Sequence, residues 1–329
     1  MPRSLIVLIS THNRAALLER TLHYLNQARH PRDWRVEILV LANACSDGTH
    51  GALKNYLETV ANPGTPPLTG PLPLHWVAEP APGKSHALNR AIPLLTSDLV
   101  AFVDDDHRVD AGYLDSICKA SGAYPNADIL CGRILPDWDG TEPSWVHDNG
   151  PYRVYPLPVP RYDLGDQPLP SPHEKAIPGG GNLVLRTALF AKVGDFSTDY
   201  GPVGHNLAGG EDQEWVKRAI VAGARLQYVP DIVQYHYVDP LRLELGYLLR
   251  KAFERSASVV RLSDDPVNPR LVPPYMIRKV AQHGLAAIVS TNRQMRRFHL
   301  VRAAASLGEI KGHLQARRDR RGRMAGIRK

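Results

Sequence analysis

The segment that most restricts this chain is Asp98-Leu-Val-Ala-Phe-Val-Asp-Asp-Asp-His107, where an apolar run, Leu99 to Val103, stops against three carboxylates, Asp104, Asp105 and Asp106. A short apolar run bounded by polar residues suits a strand covered on both faces, as in a mostly parallel sheet. In open α/β sheets, ligands bind beyond the carboxyl ends of the strands. Three adjacent acids there repel one another unless something positive sits among them. A hard divalent cation such as Mg2+ or Mn2+ meets that need, because it takes carboxylate oxygen together with substrate phosphates. The plainer alternative is an acidic strand end facing water. The i, i+2 spacing lets Asp104 and Asp106 point to one site while Asp105 turns away.

Strand and helix patterns alternate ahead of this segment, which predicts βαβ units. Leu5 to Ile9 reads as a first strand ending in Thr11-His12-Asn13-Arg14, and Leu17, Leu18, Leu22 and Leu25 mark one face of a helix over Ala15 to Ala28. A second strand, Val36 to Leu41, closes on Asn43-Ala-Cys-Ser-Asp47, and a helix follows over Gly51 to Val60. Asn62 to Pro73 reads as an exposed Pro/Gly-rich insertion. A short strand at His75 to Ala78 precedes Gly83-Lys84, which opens the next helix.

Beyond the acids the order loosens. The spacing predicts a helix over Tyr113 to Ala123 and a strand over Asp128 to Leu135. Pro136 to Pro178 is rich in Pro, Trp and Tyr with little period, and a stretch of that length inside a domain is usually functional. Gly179 to Asn182 leads into a strand at Leu183 to Arg186, and Tyr200 to Gly210 reads as a glycine-dotted loop. A helix starts at Glu211-Asp212, and two strands follow at Arg225 to Val229 and Ile232 to Tyr237.

Charge is unevenly placed. Met276 to Lys329 carries 14 basic and 2 acidic residues, whereas residues 1–275 carry 26 basic and 31 acidic ones. Such a tail can meet anionic lipid, nucleic acid or an acidic partner, although no nucleic-acid motif accompanies it. Three scattered cysteines, Cys45, Cys118 and Cys131, suit neither a disulfide framework nor a zinc site and point to a reducing, cytoplasmic setting. No secretory leader or membrane-spanning stretch is read from the sequence.

Single motifs each admit two readings. Lys84 with its neighbouring backbone amides can approach a phosphate, or simply begin a helix. Asn43 and Asp47 can hold a base or ribose, or form an Asx turn. Glu211 and Asp212 either favour the helix dipole or supply a general base. Trp138, Trp145, Tyr152 and Tyr155 can stack on sugar rings or pin their loop to the body.

Taken in order, the motifs Leu5-Ile-Val-Leu-Ile-Ser-Thr-His-Asn-Arg14, Asn43-Ala-Cys-Ser-Asp-Gly-Thr49, Gly83-Lys-Ser-His-Ala-Leu-Asn89, Asp104-Asp-Asp106, Gly180-Gly-Asn182 and Gly210-Glu-Asp-Gln-Glu214 closely resemble the family 2 inverting glycosyltransferases. The resemblance covers about Ser4 to Arg250. It implies an α/β, Rossmann-like GT-A fold, a mostly parallel sheet flanked by helices, with a C-terminal helical extension. The catalytic domain would span 1–240, with a nucleotide-binding half of about 1–107 and an acceptor-binding half of about 108–240, followed by a basic extension over 241–329. Thr11, Asn13, Arg14, Asn43 and Asp47 would line the nucleotide pocket, with Lys84, Asn89 and Asp105 close to the donor. Asp104 and Asp106 match the family's metal-binding pair for Mn2+ or Mg2+, joined by a late histidine, His236. Gly180, Gly181 and Asn182 would shape the sugar and acceptor side, and Asp212, beside Glu211, matches the catalytic base.

The implied partners are a UDP-, dTDP- or GDP-linked sugar and a saccharide or lipid-linked acceptor, with the basic extension touching an anionic membrane. Members often carry an aromatic at the His12 position and an acid at the Ala42 position, so the resemblance leaves the nucleobase open. A sugar-nucleotide nucleotidyltransferase and a non-catalytic nucleotide- or glycan-binding module are the competing classes.

Overall fold

The computed structural model describes residues 3–61, 71–155, 157–198, 210–262 and 272–326, with side chains described up to residues 59, 260 and 318 in the helices that end three of these stretches. Most of the Asn62 to Pro73 insertion and of the Tyr200 to Gly210 loop therefore lies outside the described residues, as do the side chains of the basic tail beyond Arg318. The chain divides into two compact units, Met1–Asp137 with Pro160–Tyr237, and Trp138–Val159 with Val238–Lys329.

In the first unit the elements run β1 (Arg3–Thr11), α1 (Ala15–Gln27), β2 (Trp34–Asn43), α2 (Thr49–Ala61), β3 (Leu74–Glu79), α3 (Lys84–Ala91), β4 (Leu99–Phe102), β5 (His107–Val109), α4 (Tyr113–Ala123) and β6 (Ile129–Asp137). They continue with β7 (Leu169–Pro170), β8 (Leu183–Arg186), α5 (Leu189–Val193), α6 (Glu211–Val221) and β9 (Leu226–Tyr237). The described strands form one sheet in the order β3-β2-β1-β4-β8-β6-β9-β5, with β7 paired to β9. Pairing is parallel across β3-β2-β1-β4 and between β6 and β9, whereas β8 enters antiparallel between β4 and β6.

The strand β1 shows why this sheet is covered on both sides. Side chains alternate across a strand. Leu5, Val7 and Ile9 join one buried cluster with Leu18, Leu22 and Leu25 of α1 and Leu114 and Ile117 of α4. Ile6 and Leu8 join the opposite cluster with Leu88 of α3 and Trp215 and Val216 of α6. The carboxyl ends of β1, β2 and β4 are therefore the exit from a three-layer core.

Sequence periodicity misplaces one element. Arg225 to Val229 and Ile232 to Tyr237 are one strand, β9, running through Pro230. Its register against β6 slips between Tyr228 and Val233, so the proline falls in the irregular stretch, where no ladder N–H is required.

The second unit contains α7 (Leu245–Leu262), α8 (Pro274–Val289) and α9 (Arg293–Gly326). Gly308 and Gly312 of α9 lie against the α7 backbone so closely that an added Cβ would stand 2.1 Å from the Phe253 carbonyl oxygen and 2.2 Å from that of Ala257. Trp138, Trp145, Val146, Leu157 and Val159 pack with Val238 and Leu243, which brings this Trp-rich stretch into the helical unit. Arg297 lies over the Trp145 ring, and Tyr152 packs edge-on against Phe298. These aromatics fasten their loop; Tyr155 alone of the four is largely exposed. Among the described residues no helix is long and apolar enough to cross a membrane.

Candidate active site

Beyond Phe102 the chain makes one more sheet contact, Val103 N–H to the Leu8 carbonyl, and then turns through the three acids into β5. Arg14, the residue before α1, places one guanidinium nitrogen, Nη1, 2.9 Å from both Asp105 Oδ1 and Asp106 Oδ2. Burial opposes the Arg14 charge, but Asp105 and Asp106 outweigh it and hold its pKa up. Burial and the charge of Asp106 push the Asp105 carboxyl up to about 6. Burial works against Asp106 too, but His236 and His107 hold it below the usual carboxylate range. Within the pair, Asp105 takes a proton first.

Lys84, at the head of α3, reaches the third acid: its Nζ is 2.7 Å from Asp104 Oδ1 and 3.9 Å from Glu211 Oε1. Burial disfavours that ammonium, yet Asp104, Glu211 and Asp212 together raise its pKa above the ordinary value. The same amine, with His107, keeps Asp104 ionised against its own burial.

The orientation of His107 follows from a chain of fixed groups. The Asn182 amide nitrogen donates to the backbone carbonyls of Arg133 and Ile232, so its oxygen faces Gln234. Gln234 Nε2 donates to that oxygen and to the Phe102 carbonyl, which turns its own oxygen to His107 Nδ1 at 2.6 Å. His107 Nδ1 must then carry a proton, which leaves Nε2 as the ring atom turned toward the acids. That atom is buried without a hydrogen-bond partner, 3.9 Å from both Asp104 Oδ2 and Asp106 Oδ1.

His236 is fixed in the same sense. Its Nδ1 lies 2.6 Å from the Tyr237 carbonyl oxygen, and its Nε2 is 3.7 Å from Asp106 Oδ2. Asp106, His107 and His236 each offer a ligand atom within 4.8 Å of the others. Ring nitrogens and carboxylate oxygens converging in this way are a donor set that fits Mn2+ or Mg2+ bound beside phosphate, with imidazole favouring the softer Mn2+.

Gly180 and Gly181 separate this group from the acids of α6. An added Cβ on Gly181 would lie 2.7 Å from Asp104 Oδ2 and 2.8 Å from His107 Cε1; one on Gly180 would lie 2.8 Å from Asp212 Oδ2. Asp212 accepts hydrogen bonds from the backbone N–H groups of Gly180 and Gln213 and remains partly exposed. Glu211 is 3% exposed, and its Oε2 has no hydrogen-bond partner. Burial pushes its carboxyl up, Lys84 opposes this in part, and Asp212 adds to it.

The structure thus gathers Arg14, Lys84, Asp104, Asp105, Asp106, Gly180, Gly181, Glu211, Asp212 and His236. The asparagines behave differently. Asn13 Oδ1 accepts from the Ser46 and Asp47 amides, and Asn43 holds Gly83 N–H and the Ala81 carbonyl, so both tie strand-end loops together. Asp47 forms the Asx turn onto Thr49 and also accepts from Ala15 N–H, while Thr11 is buried at the end of β1. Asn89, read from the sequence as lying close to ribose and phosphate, has both ends of its amide on the Phe196 backbone and braces α3 instead. Asn182 is buried inside the sheet rather than facing an acceptor. Sequence reasoning missed His107 and Gln234. The one available signal was position: a histidine directly after the acids, and a glutamine two residues before His236, on the same face of one strand.

Solved glycosyltransferases share this fold. Mannosyltransferase PcManGT from Pyrobaculum calidifontis, solved with GDP-Man and Mn2+, aligns at TM-score 0.52 and 20% identity over 92% of this chain and 86% of that one. TarS of S. aureus aligns at TM-score 0.51 and 15% identity over 94% of this chain and 55% of that one. The protein is a glycosyltransferase of the GT-A fold. Residues 6–192, more than half the chain, match the family model for glycosyl transferase family 2, and the chain belongs to that family. Among its relatives, glycosyltransferase AglE of Haloferax volcanii is 24% identical over 75% of this chain and 70% of its own length. The pre-mycofactocin glycosyltransferase of Mycobacterium tuberculosis is 29% identical over 52% of this chain, which spans only 33% of that relative.

Proposed function

We propose that this glycosyltransferase moves a sugar from a UDP-, dTDP- or GDP-linked donor to a hydroxyl of a saccharide or lipid-linked acceptor, in polysaccharide or glycolipid assembly, by one inverting displacement. The observation that carries this reading is the side-chain-free floor, Gly180-Gly181, with Asp212 against one glycine and Asp104 and His107 against the next. A base and a charge-neutralising group on two sides of an open backbone suit an acceptor and a donor meeting there. Asp212 would take the proton from the acceptor hydroxyl as its oxygen bonds to the anomeric carbon. The bond from that carbon to the diphosphate breaks as the new one forms, its electron pair leaving with the diphosphate, and the configuration inverts.

Lys84 would bind the donor phosphates, and Arg14 would hold Asp105 and Asp106 in place. Glu211, buried beside Asp212 and 3.9 Å from Lys84 Nζ, would hold that amine in place for the phosphates. A divalent cation, Mn2+ or Mg2+, held by Asp106, His107 and His236 with Asp104 alongside, would offset the charge of the leaving diphosphate. PcManGT was solved with GDP-Man and Mn2+, which supports a sugar nucleotide and that metal here. A relative from Haloferax volcanii, 23% identical over 52% of this chain and 53% of its own length, is named glucosyl-dolichyl phosphate glucuronosyltransferase, which supports a lipid-linked acceptor. Such an acceptor lies at a membrane. The basic C-terminal segment supports peripheral contact with an anionic one, and three free cysteines suit a cytoplasmic location.

The test is release of nucleoside diphosphate from a panel of nucleotide sugars with Mn2+. Selective, metal-dependent release from one donor is expected and would identify the sugar. Silence across the panel, with no nucleotide binding by calorimetry, would overturn the transferase chemistry in favour of a binding module.

A further inference from the structure

The second unit carries an exposed apolar surface that the transferase chemistry does not use. Helix α8 is fixed through one side only: Met276 and Ala287 are buried, Lys279 pairs with Glu309 of α9 at 2.9 Å, and His283 meets His299. The opposite side carries an apolar stripe bordered by the exposed Arg278 and Gln282. Ile277, Ala281, Leu285 and Ile288 recur at three- and four-residue spacing and are all exposed, with Tyr275 and Val289 beside them. Leu285 is 64% exposed and Ile288 81%. A contiguous stripe of large aliphatic side chains in water marks a surface that something covers.

Charge decides what fits there. Helix α8 contains no acidic residue, Arg278 lies within its outward face, and the exposed Arg293 and Arg296 follow directly at the start of α9. A second copy of this chain would bury Arg278 against a face that has no carboxylate to receive it, leaving an unpaired buried charge. A lipid surface has no such penalty, because an arginine can extend its head to phosphate while its stem lies among acyl chains. The helix is about 24 Å long and carries charge, so it suits a position in the plane of the interface rather than across it.

We infer that the outward face of α8 docks on an anionic lipid bilayer, with Ile277, Leu285 and Ile288 seated among the acyl chains and Arg278, Arg293 and Arg296 on lipid phosphates. This names the surface for the peripheral membrane contact proposed above and rests on that contact. It is independent of the transferase chemistry.

Flotation of the full chain with vesicles of phosphatidylcholine and phosphatidylglycerol, against phosphatidylcholine alone, tests it. The protein is expected to float with the mixed vesicles and far less with the neutral ones. The triple variant Ile277→Ser, Leu285→Ser, Ile288→Ser is expected to lower partitioning on the order of a hundredfold, since three exposed aliphatic side chains lose their lipid contacts. Its circular dichroism melt and donor turnover should stay as in the parent, because these side chains face water.

Arg278→Gln with Arg293→Gln should lower partitioning on the order of tenfold and only for the anionic vesicles. A parent that floats with neither vesicle overturns the membrane contact and the docking face together. A triple variant that floats as well as the parent overturns the α8 face alone, leaving the contact to the basic residues of α9. A parent that is dimeric by light scattering and becomes monomeric in the triple variant overturns the lipid assignment in favour of a second copy.

Discussion

Lys84 Nζ and Asp104 Oδ1 are 2.7 Å apart, and this contact joins the start of α3 to the end of β4. It brings a cation from one βα turn onto the first acid of the next. The amine and the two histidines share the acids between them. Asp104 is held by Lys84, Asp106 faces His236, and His107 lies 3.9 Å from both. A phosphate approaching Lys84 would therefore meet a positive group already in place, backed by carboxylates that keep it charged.

Asp212→Asn is expected to lower transfer by about a thousandfold, the range for loss of a positioned general base, while donor binding stays near the parent's. Nucleoside diphosphate release and calorimetric titration with the donor check both halves. Near-normal turnover would remove Asp212 from this role.

Gly181→Ala places a methyl group 2.7 Å from Asp104 Oδ2 and 2.8 Å from His107 Cε1. Both neighbours are held by other contacts, so the backbone or the acid must move. The variant should melt at lower temperature, by about 1–3 kcal/mol of stability, and bind Mn2+ and nucleotide more weakly. Unchanged affinity would show that this floor is not part of the site.

The pH dependence of stability should carry the signature of Asp105. Its folded value, pushed up to about 6 by burial and by Asp106, lies above that of the unfolded chain. Below the unfolded value both states hold the proton and the contribution is complete; it is lost as pH rises through the folded value. Thermal melts without added metal should therefore show about 2 kcal/mol lost between about pH 4 and pH 6. Asp105→Asn should flatten that step, and a parent whose stability rises across the same window would contradict the assignment.

Gln234→Leu removes the acceptor that fixes the His107 Nδ1 proton and leaves the Asn182 oxygen without its donor. Stability should fall by about 2–4 kcal/mol, and Mn2+ affinity, read by electron paramagnetic resonance, should fall roughly tenfold to a hundredfold. His107→Ala should lose metal affinity with less loss of stability. If both bind Mn2+ like the parent, His107 is not a ligand.

Gly312→Val should separate α9 from α7, because its Cβ would stand 2.2 Å from the Ala257 carbonyl oxygen, a backbone atom that cannot step aside. Loss of about 2–4 kcal/mol is expected, with proteolysis opening at the C-terminal helices before the sheet unit. Cleavage beginning in the sheet unit would show that this contact does not govern the second unit.

Much of the first unit was legible because burial on both faces leaves a simple mark. Leu5 to Ile9 and Leu99 to Val103 are continuous apolar runs, and each ends at polar residues that the sheet carries to one edge. The strand β9 was harder. Pro230 reads locally as a break, and only the slipped pairing with β6 shows that a strand can pass through it.

Local periodicity and order along the chain are enough for the layered α/β core, the family, and the position of the acids and of Glu211-Asp212 at element ends. Tertiary structure decided which polar groups serve the site and which serve the scaffold. Asn89 and Asn182 turn inward because backbone groups of Phe196, Arg133 and Ile232 need partners there. His107 turns its Nε2 toward the acids because Gln234, 127 residues away, takes the other ring nitrogen. A hydrogen bond's direction depends on neighbours that only folding brings together, and no local pattern carries that information.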